Sequence, residues 1–144
     1  MSNSLSYATF FVDHFYFGIP SEDVVELTNG TEITQVPLAP PSVCGLINLR
    51  GQIVTAIDMR SRLGMPARSP SDKALTVFVS NKGLMFGLVI DRSSDILELN
   101  PHLMEKTPSH MPVAAAEIMV GFHKLSDKLL FMLDLEKLIY GCIQ

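Results

Sequence analysis

CGLINLRGQIVTAIDMRSRLG, residues 44–64, holds two apolar runs, 45–49 and 52–59, broken by Arg50-Gly51. Two such runs, the second rich in β-branched residues, separated by a short break that ends in glycine, read as a β-hairpin. Gly51 is the residue able to take the positive φ that a tight turn needs. Arg50 is also the first cation of the chain, because residues 1–49 contain neither lysine nor arginine. A cation at a hairpin tip is either a solvated turn residue or a contact, and position alone does not choose between them.

The same signal appears twice more. TFFVDHFYFGI (9–19) and ALTVFVSNKGLMFGLVID (74–91) are paired apolar and aromatic runs that turn at Asp13-His14 and at Asn81-Lys82-Gly83. Helix signals are short by comparison. SEDVVELT (21–28) predicts one or two turns capped by Ser21, RSRLG (60–64) one turn closed by Gly64, and DLEKLIYG (134–141) a terminal turn or two from Asp134. Proline-rich stretches at 36–43 and 101–112 read as ordered loops, and 66–73 as the linker between two halves.

Those halves are copies of one pattern. Gly45-Leu46, Leu49, Ile53-Val54 and Ile57-Asp58-Met59 recur without a gap as Gly121-Phe122, Leu125, Leu129-Leu130 and Leu133-Asp134-Leu135. Phe17-Gly18 and Val25-Glu26-Leu27 recur as Phe86-Gly87 and Leu97-Glu98-Leu99, with three extra residues in the second copy. A copy of about 70 residues with four or five short strands has the size of a small SH3-like or OB-like barrel. The predicted fold is therefore all-β, with two small barrel subdomains at about 10–65 and 74–135 within a single domain, 1–144. The N-terminal and C-terminal segments are free to exchange between the subdomains. Barrels this small have thin cores, so the two are expected to share an apolar seam, which is also a candidate groove.

Composition narrows the function. With 47% hydrophobic and 18% charged residues the chain is globular, and a net charge of −4 argues against nucleic acid, which calls for a basic face. The N-terminus has no signal-peptide pattern and no run reaches the roughly 18 apolar residues of a membrane span, so a cytoplasmic protein without membrane insertion is expected. Cys44 and Cys142 are read as buried thiols.

Five ordered segments together resemble the CheW-like family of bacterial chemotaxis adaptors. They are the N-L-R-G turn with I-D-M-R after it, FYFGIPSEDVVEL, FGLVIDRSSDILELNP, and VGFHKLSDKLLFMLDLEKLI with its closing hairpin and final turn. The resemblance implies two five-stranded SH3-like subdomains and no catalytic site or cofactor. It implies an adaptor that couples the cytoplasmic tip of a chemoreceptor to the regulatory domain of a CheA-type histidine kinase, recruited to membrane-associated receptor arrays. It places Arg50 at a position implicated in adaptor contacts, and Val24 and Glu26 at positions tied to receptor and kinase coupling. The expected partner-binding set is Val24, Glu26, Asn48, Arg50, Gly51 and Gln52, with Arg50 pairing Glu26 to brace the seam. The competing class is a small enzyme or ligand-binding barrel whose pocket is the seam.

Other candidates read as structural. Asp58 and Asp134 hold the same repeat position before a short turn, where a carboxylate caps free N–H groups more readily than it forms a catalytic pair. His14, His102, His110 and His123 lack metal-ligand spacing, with His14 expected in a turn and His123 in a strand. Phe10, Phe11, Phe15, Phe17, Phe78, Phe86 and Phe131 are expected in the core.

Overall fold

The computed structural model describes residues 4–29, 32–69, 73–108 and 111–143, the last two of these as backbone; His110 and the Cys142 thiol lie outside the described residues. The N-terminal hairpin pairs β1 (Leu5–Val12) with β2 (Phe15–Pro20) and turns at Asp13-His14. β4 (Val43–Leu49) and β5 (Gln52–Asp58) form the hairpin that turns at Arg50-Gly51. β6 (Leu75–Asn81) and β7 (Leu84–Ile90) form the third, and because Asn81 pairs with Leu84 its turn is Lys82-Gly83, one residue shorter than expected. In the second and third turns both central residues are left-handed: φ is +53° at Arg50 and +86° at Gly51, +52° at Lys82 and +80° at Gly83. That matches the right-handed twist of the strands, and it holds a non-glycine residue where a β-carbon costs about 1 kcal/mol.

The segment 21–28 departs from the expected helix. Only Ser21–Asp23 makes a 3-10 turn, and Val24–Asn29 is strand β3, laddered on β6 through Leu27 opposite Val77. Two adjacent valines favour the extended chain, and Ser21 does not cap: its Oγ–H donates to the Ser6 carbonyl at 3.1 Å. The remaining elements are α1 (Met59–Arg62), β8 (Arg92–Leu99), α2 (Val113–Ala116), β9 (Met119–Lys124), β10 (Leu129–Leu133) and α3 (Leu135–Ile143). α2 follows the expected loop, which itself contains a 3-10 turn at Pro101–Leu103.

The strands make two five-stranded sheets, ordered β8-β1-β2-β10-β9 and β3-β6-β7-β5-β4. Matching β1 to β5 with β6 to β10 converts one order into the other, which is the structural form of the sequence repeat. The N-terminal hairpin lies in one sheet with the three C-terminal strands, and β3 to β7 make the second. Each sheet contains one parallel pair, β2 with β10 and β7 with β5.

Gly45 and Gly121 explain their own recurrence. At Gly45 an added β-carbon would collide with the Thr34 carbonyl, and at Gly121 with the Glu105 carbonyl. These are the points where the segment just before the first proline-rich loop, and the second such loop itself, cross the sheet edges, tied by Thr34 to Leu46 and by Glu105 to Phe122 through paired backbone bonds of 2.8 to 2.9 Å. Only glycine lets two backbones approach so closely.

The largest buried cluster is shared. Phe10, Phe17 and Ile19 from the first sheet pack with Ile57, Val77, Val79 and Leu88 from the second and with Leu135, Leu138 and Ile139 of α3. Smaller clusters lie within each sheet, around Ile47 and Phe78 in one and Tyr16 and Leu130 in the other. Thin cores inside each half are thus supplemented by a common one, as the size of the halves demands. Among the seven phenylalanines expected inside, Phe15 is 46% exposed and Phe11 is half-buried, stacked on Tyr16 at 4.6 Å. Both flank the β1–β2 turn, where the pleat runs out of neighbours to cover them.

Candidate partner-binding surface

The hairpin tip is built by its own residues. The Asn48 side-chain oxygen accepts the Gly51 N–H at 2.9 Å, Leu49 pairs with Gln52, and Arg50 is left at the apex with its side chain 75% exposed. Arg50 grips Glu26 with both guanidinium arms, Nη1 to Oε1 at 2.6 Å and Nη2 to Oε2 at 3.2 Å. The pair forms as expected but does not brace the seam. Glu26 is on β3 and Arg50 follows β4, and these are the two edge strands of the same sheet. The contact therefore ties one sheet's ends together and curls it toward a barrel, leaving the guanidinium's outer face in solvent.

Between the two sheets the shared core closes most of the seam. A shallow, mostly apolar groove of about 210 Å³ remains at its rim, walled by Val24, Leu27 and Val77 on one side and by Phe10, Ser94 and Ile96 on the other. Leu27 is 46% and Ile96 66% exposed, while β3 and β8 meet here as edge strands. Among the described residues no titratable side chain lines this groove. Of the expected partner-binding residues the structure brings Val24 to the groove and gathers Glu26, Asn48, Arg50, Gly51 and Gln52 around the hairpin tip. Leu27 and Ile96, which wall the same groove, are not in the expected set. The signal was in the repeat, which equates Val25-Glu26-Leu27 with Leu97-Glu98-Leu99 and so asks both segments to be strands.

Titratable groups converge elsewhere, in an open cavity of about 340 Å³ where Arg60, Arg68, Lys73 and Arg92 surround Asp91. Asp91 takes Arg60 Nε at 3.1 Å and Nη2 at 2.7 Å on Oδ2, Arg68 Nε at 2.8 Å and Nη2 at 2.6 Å on Oδ1, and the Asp13 N–H at 2.6 Å on Oδ2. Burial alone would push its carboxyl up, but bonds from Arg60, the Asp13 N–H and Arg68 outweigh that and hold it below its ordinary value. Arg92 lies over the Phe11 ring at 4.3 Å. A carboxylate that already accepts five donors is an ion-pair knot with little capacity as a base.

Asp58 and Asp134 cap helices. Asp58 Oδ1 accepts the Arg60 N–H at 3.1 Å, and Asp134 Oδ1 accepts the Lys137 N–H at 3.1 Å. Their own N–H groups also match across the repeat, donating to Ser42 and Ile118 carbonyls at 2.8 and 2.7 Å. His14 is in the turn, His102 in the 3-10 turn, and His123 is buried on β9. Among the described residues no three of His, Cys, Asp and Glu gather as a metal set. Cys44 is half-buried and donates to the Ala56 carbonyl at 3.4 Å; burial and then the Asp58 charge push its thiol up to about 11. No described helix is long and apolar enough to cross a membrane.

The model of the CheW-like domain family matches residues 6–141, nearly the whole of both sheets. The chain belongs to the CheW-like domain family. This CheW-like chain is 28% identical to the chemotaxis protein CheW of Klebsiella aerogenes over 123 residues, covering 85% of this chain and 74% of that one. It is 25% identical to the chemotaxis protein CheW of Bacillus subtilis over 125 residues, covering 87% and 80%. Its fold matches the crystal structure of the scaffolding protein TtCheW from Thermoanaerobacter tengcongensis with a TM-score of 0.80 and 25% identity, over 90% of this chain and 88% of that one. The same two-sheet plan thus carries a scaffolding role in a relative.

Proposed function

We propose that this CheW-like chain is a non-enzymatic adaptor that couples a chemoreceptor's cytoplasmic tip to the regulatory domain of a CheA-type histidine kinase. The observation that carries the reading is the groove between β3 and β8. It is mostly apolar, with Leu27 and Ile96 exposed, and poor in ionisable groups, which suits the apolar stripe of a helical hairpin better than a polar substrate. The receptor tip docks there. The kinase domain meets the tip of the β4–β5 hairpin, where Asn48, Arg50, Gly51 and Gln52 present a rigid turn with Ile53, 62% exposed, beside them. Recruitment to the array follows from these two contacts, without any membrane insertion by the chain.

The test is calorimetric titration of the purified chain with a soluble receptor cytoplasmic fragment and, separately, with the kinase regulatory domain. Leu27→Asp and Ile96→Asp should abolish receptor binding and spare the kinase, because each puts a charge into an apolar contact. Equal binding by both variants and the parent would sink the groove as the receptor site, and binding of neither partner by the parent would sink the adaptor reading.

A further inference from the structure

The chain passes from the second sheet to the first with one residue, Asp91, between the end of β7 and the start of β8. That residue is held from every side. Its N–H donates to the Phe11 carbonyl at 3.0 Å, and its carboxylate receives the Asp13 N–H at 2.6 Å, both from the β1–β2 hairpin of the first sheet. Arg60, on α1 directly after β5, reaches it from the second sheet. Arg68 reaches it from the segment between the two sequence copies. The side chains of Arg60, Asp91 and Arg68 are 15%, 13% and 12% exposed, so this is a largely desolvated clamp rather than a surface pair.

Two, three and five residues beyond Asp91 come Ser93, Ser94 and Ile96, which form one wall of the groove. We infer that Arg68 and Asp91 are positioning residues for that groove: Arg68 ties the chain at 66–69 to the crossing and fixes the angle at which β8 faces β3, and so the width offered to a docking helix. The inference rests on the reading of the groove as the receptor site. The other crossing, at Ser21–Asp23, is made without an ion pair among the described residues, so of the two places where the chain passes between the sheets it is the one at Asp91, beside the groove, that is clamped. Arg60 bonds chiefly to Oδ2 and Arg68 places both its donors on Oδ1, so each carboxylate oxygen is held by a different guanidinium, which a single contact does not achieve.

Removing Arg68 leaves Asp91 compensated by Arg60, and takes from Asp58 only a long 3.7 Å contact while its cap on the Arg60 N–H remains. The experiment uses the full chain with Cys44 and Cys142 changed to serine and spin labels on cysteines at Val25 of β3 and Glu98 of β8, exposed sites on the two walls. The distance distribution between the labels is measured by pulsed electron resonance without any partner, alongside the melting temperature and the affinity for the receptor fragment. Arg68→Gln should broaden the distribution, leave melting within a few degrees of the parent and weaken receptor binding about fivefold or more. Arg68→Lys, which keeps the charge but loses the fork, should restore the distribution in part. An unchanged distribution in Arg68→Gln, or broadening with unchanged receptor affinity, overturns the inference. The two readings fail separately: the parent's affinity decides whether the groove takes the receptor, and the partner-free distance decides the tie.

Discussion

Arg50 and Glu26 stand at opposite edges of one sheet, and their 2.6 Å contact closes that sheet on itself instead of joining it to the other. With Arg50 75% exposed, screening leaves the pair about 0 to 1 kcal/mol of stability. Arg50→Glu should therefore lower the unfolding free energy by no more than about 1 kcal/mol, while a contact arginine lost from a partner interface costs about 2 kcal/mol or more of binding. The double change Arg50→Glu with Glu26→Arg separates the roles. If the pair only curls the sheet, the swap restores kinase binding in calorimetry; if Arg50 meets a partner carboxylate, the swap stays defective at an unchanged melting temperature. Full binding by the single variant would return Arg50 to the status of a turn residue.

Gly45 and Gly121 should be the least replaceable glycines. Each faces a backbone carbonyl that cannot rotate away, so Gly121→Ala must push the Glu105 segment off the sheet edge and lose the two bonds that hold it. A loss of about 2 to 4 kcal/mol follows from overpacking and two unmade backbone bonds. Gly51→Ala is the control: no atom lies within 4 Å of an added β-carbon, and only the φ of +86° resists it, at about 1 to 2 kcal/mol. Thermal melts of the three alanine variants rank them, and a Gly121→Ala no worse than Gly51→Ala would remove close approach as the reason for the repeat's glycines.

The hairpins were legible because alternation and turn chemistry are local, and the two-fold plan because 45–59 and 121–135 keep the same spacing. What escaped was set by distance. Val24–Asn29 has the valines of a strand, but its acidic start imitates a helix N-terminus, and the ladder to β6 that decides the matter joins residues 50 positions apart, as Leu27 to Val77. The Arg50 to Glu26 pair was foreseeable as a pair; which strands it joins depends on sheet order, which no local pattern states. Asp91 was passed over because a clamp drawn from residues 13, 60 and 68 has no sequence signature.

Asp58 and Asp134 hold the tempting symmetry of a catalytic pair, and their bonds give them another task. Removing a cap costs about 0.5 to 2 kcal/mol, so Asp134→Ala should destabilise by that amount, with Asp134→Asn recovering most of it. Chemistry should be untouched because none is expected: purified protein held with ATP should gain no phosphoryl mass. A stoichiometric gain in intact mass, lost in Asp134→Asn, would overturn both the capping role and the adaptor reading.

His123 makes stability depend on pH in a stated direction. It is 5% exposed on β9, its Nε2 has no hydrogen-bond partner among the described residues, and burial pushes its pKa below the ordinary 6.5. The folded chain thus resists protonation at this site while the unfolded chain accepts it. Below about 6.5 the unfolded state binds more protons, so stability present at neutral pH is progressively lost as pH falls toward the lowered value. Asp91, held below its ordinary 3.8, adds a loss of the same sign only in more acid solution, and Asp23, pushed up by burial and then by Glu22, works in the opposite sense as its carboxyl protonates. Urea midpoints at pH 7.5 and 5.5 should therefore fall with acidity in the parent and lie closer together in His123→Phe, which removes the orphaned nitrogen along with the charge. If the phenylalanine variant keeps the parent's full slope, the pH dependence arises elsewhere and His123 is only a packed ring.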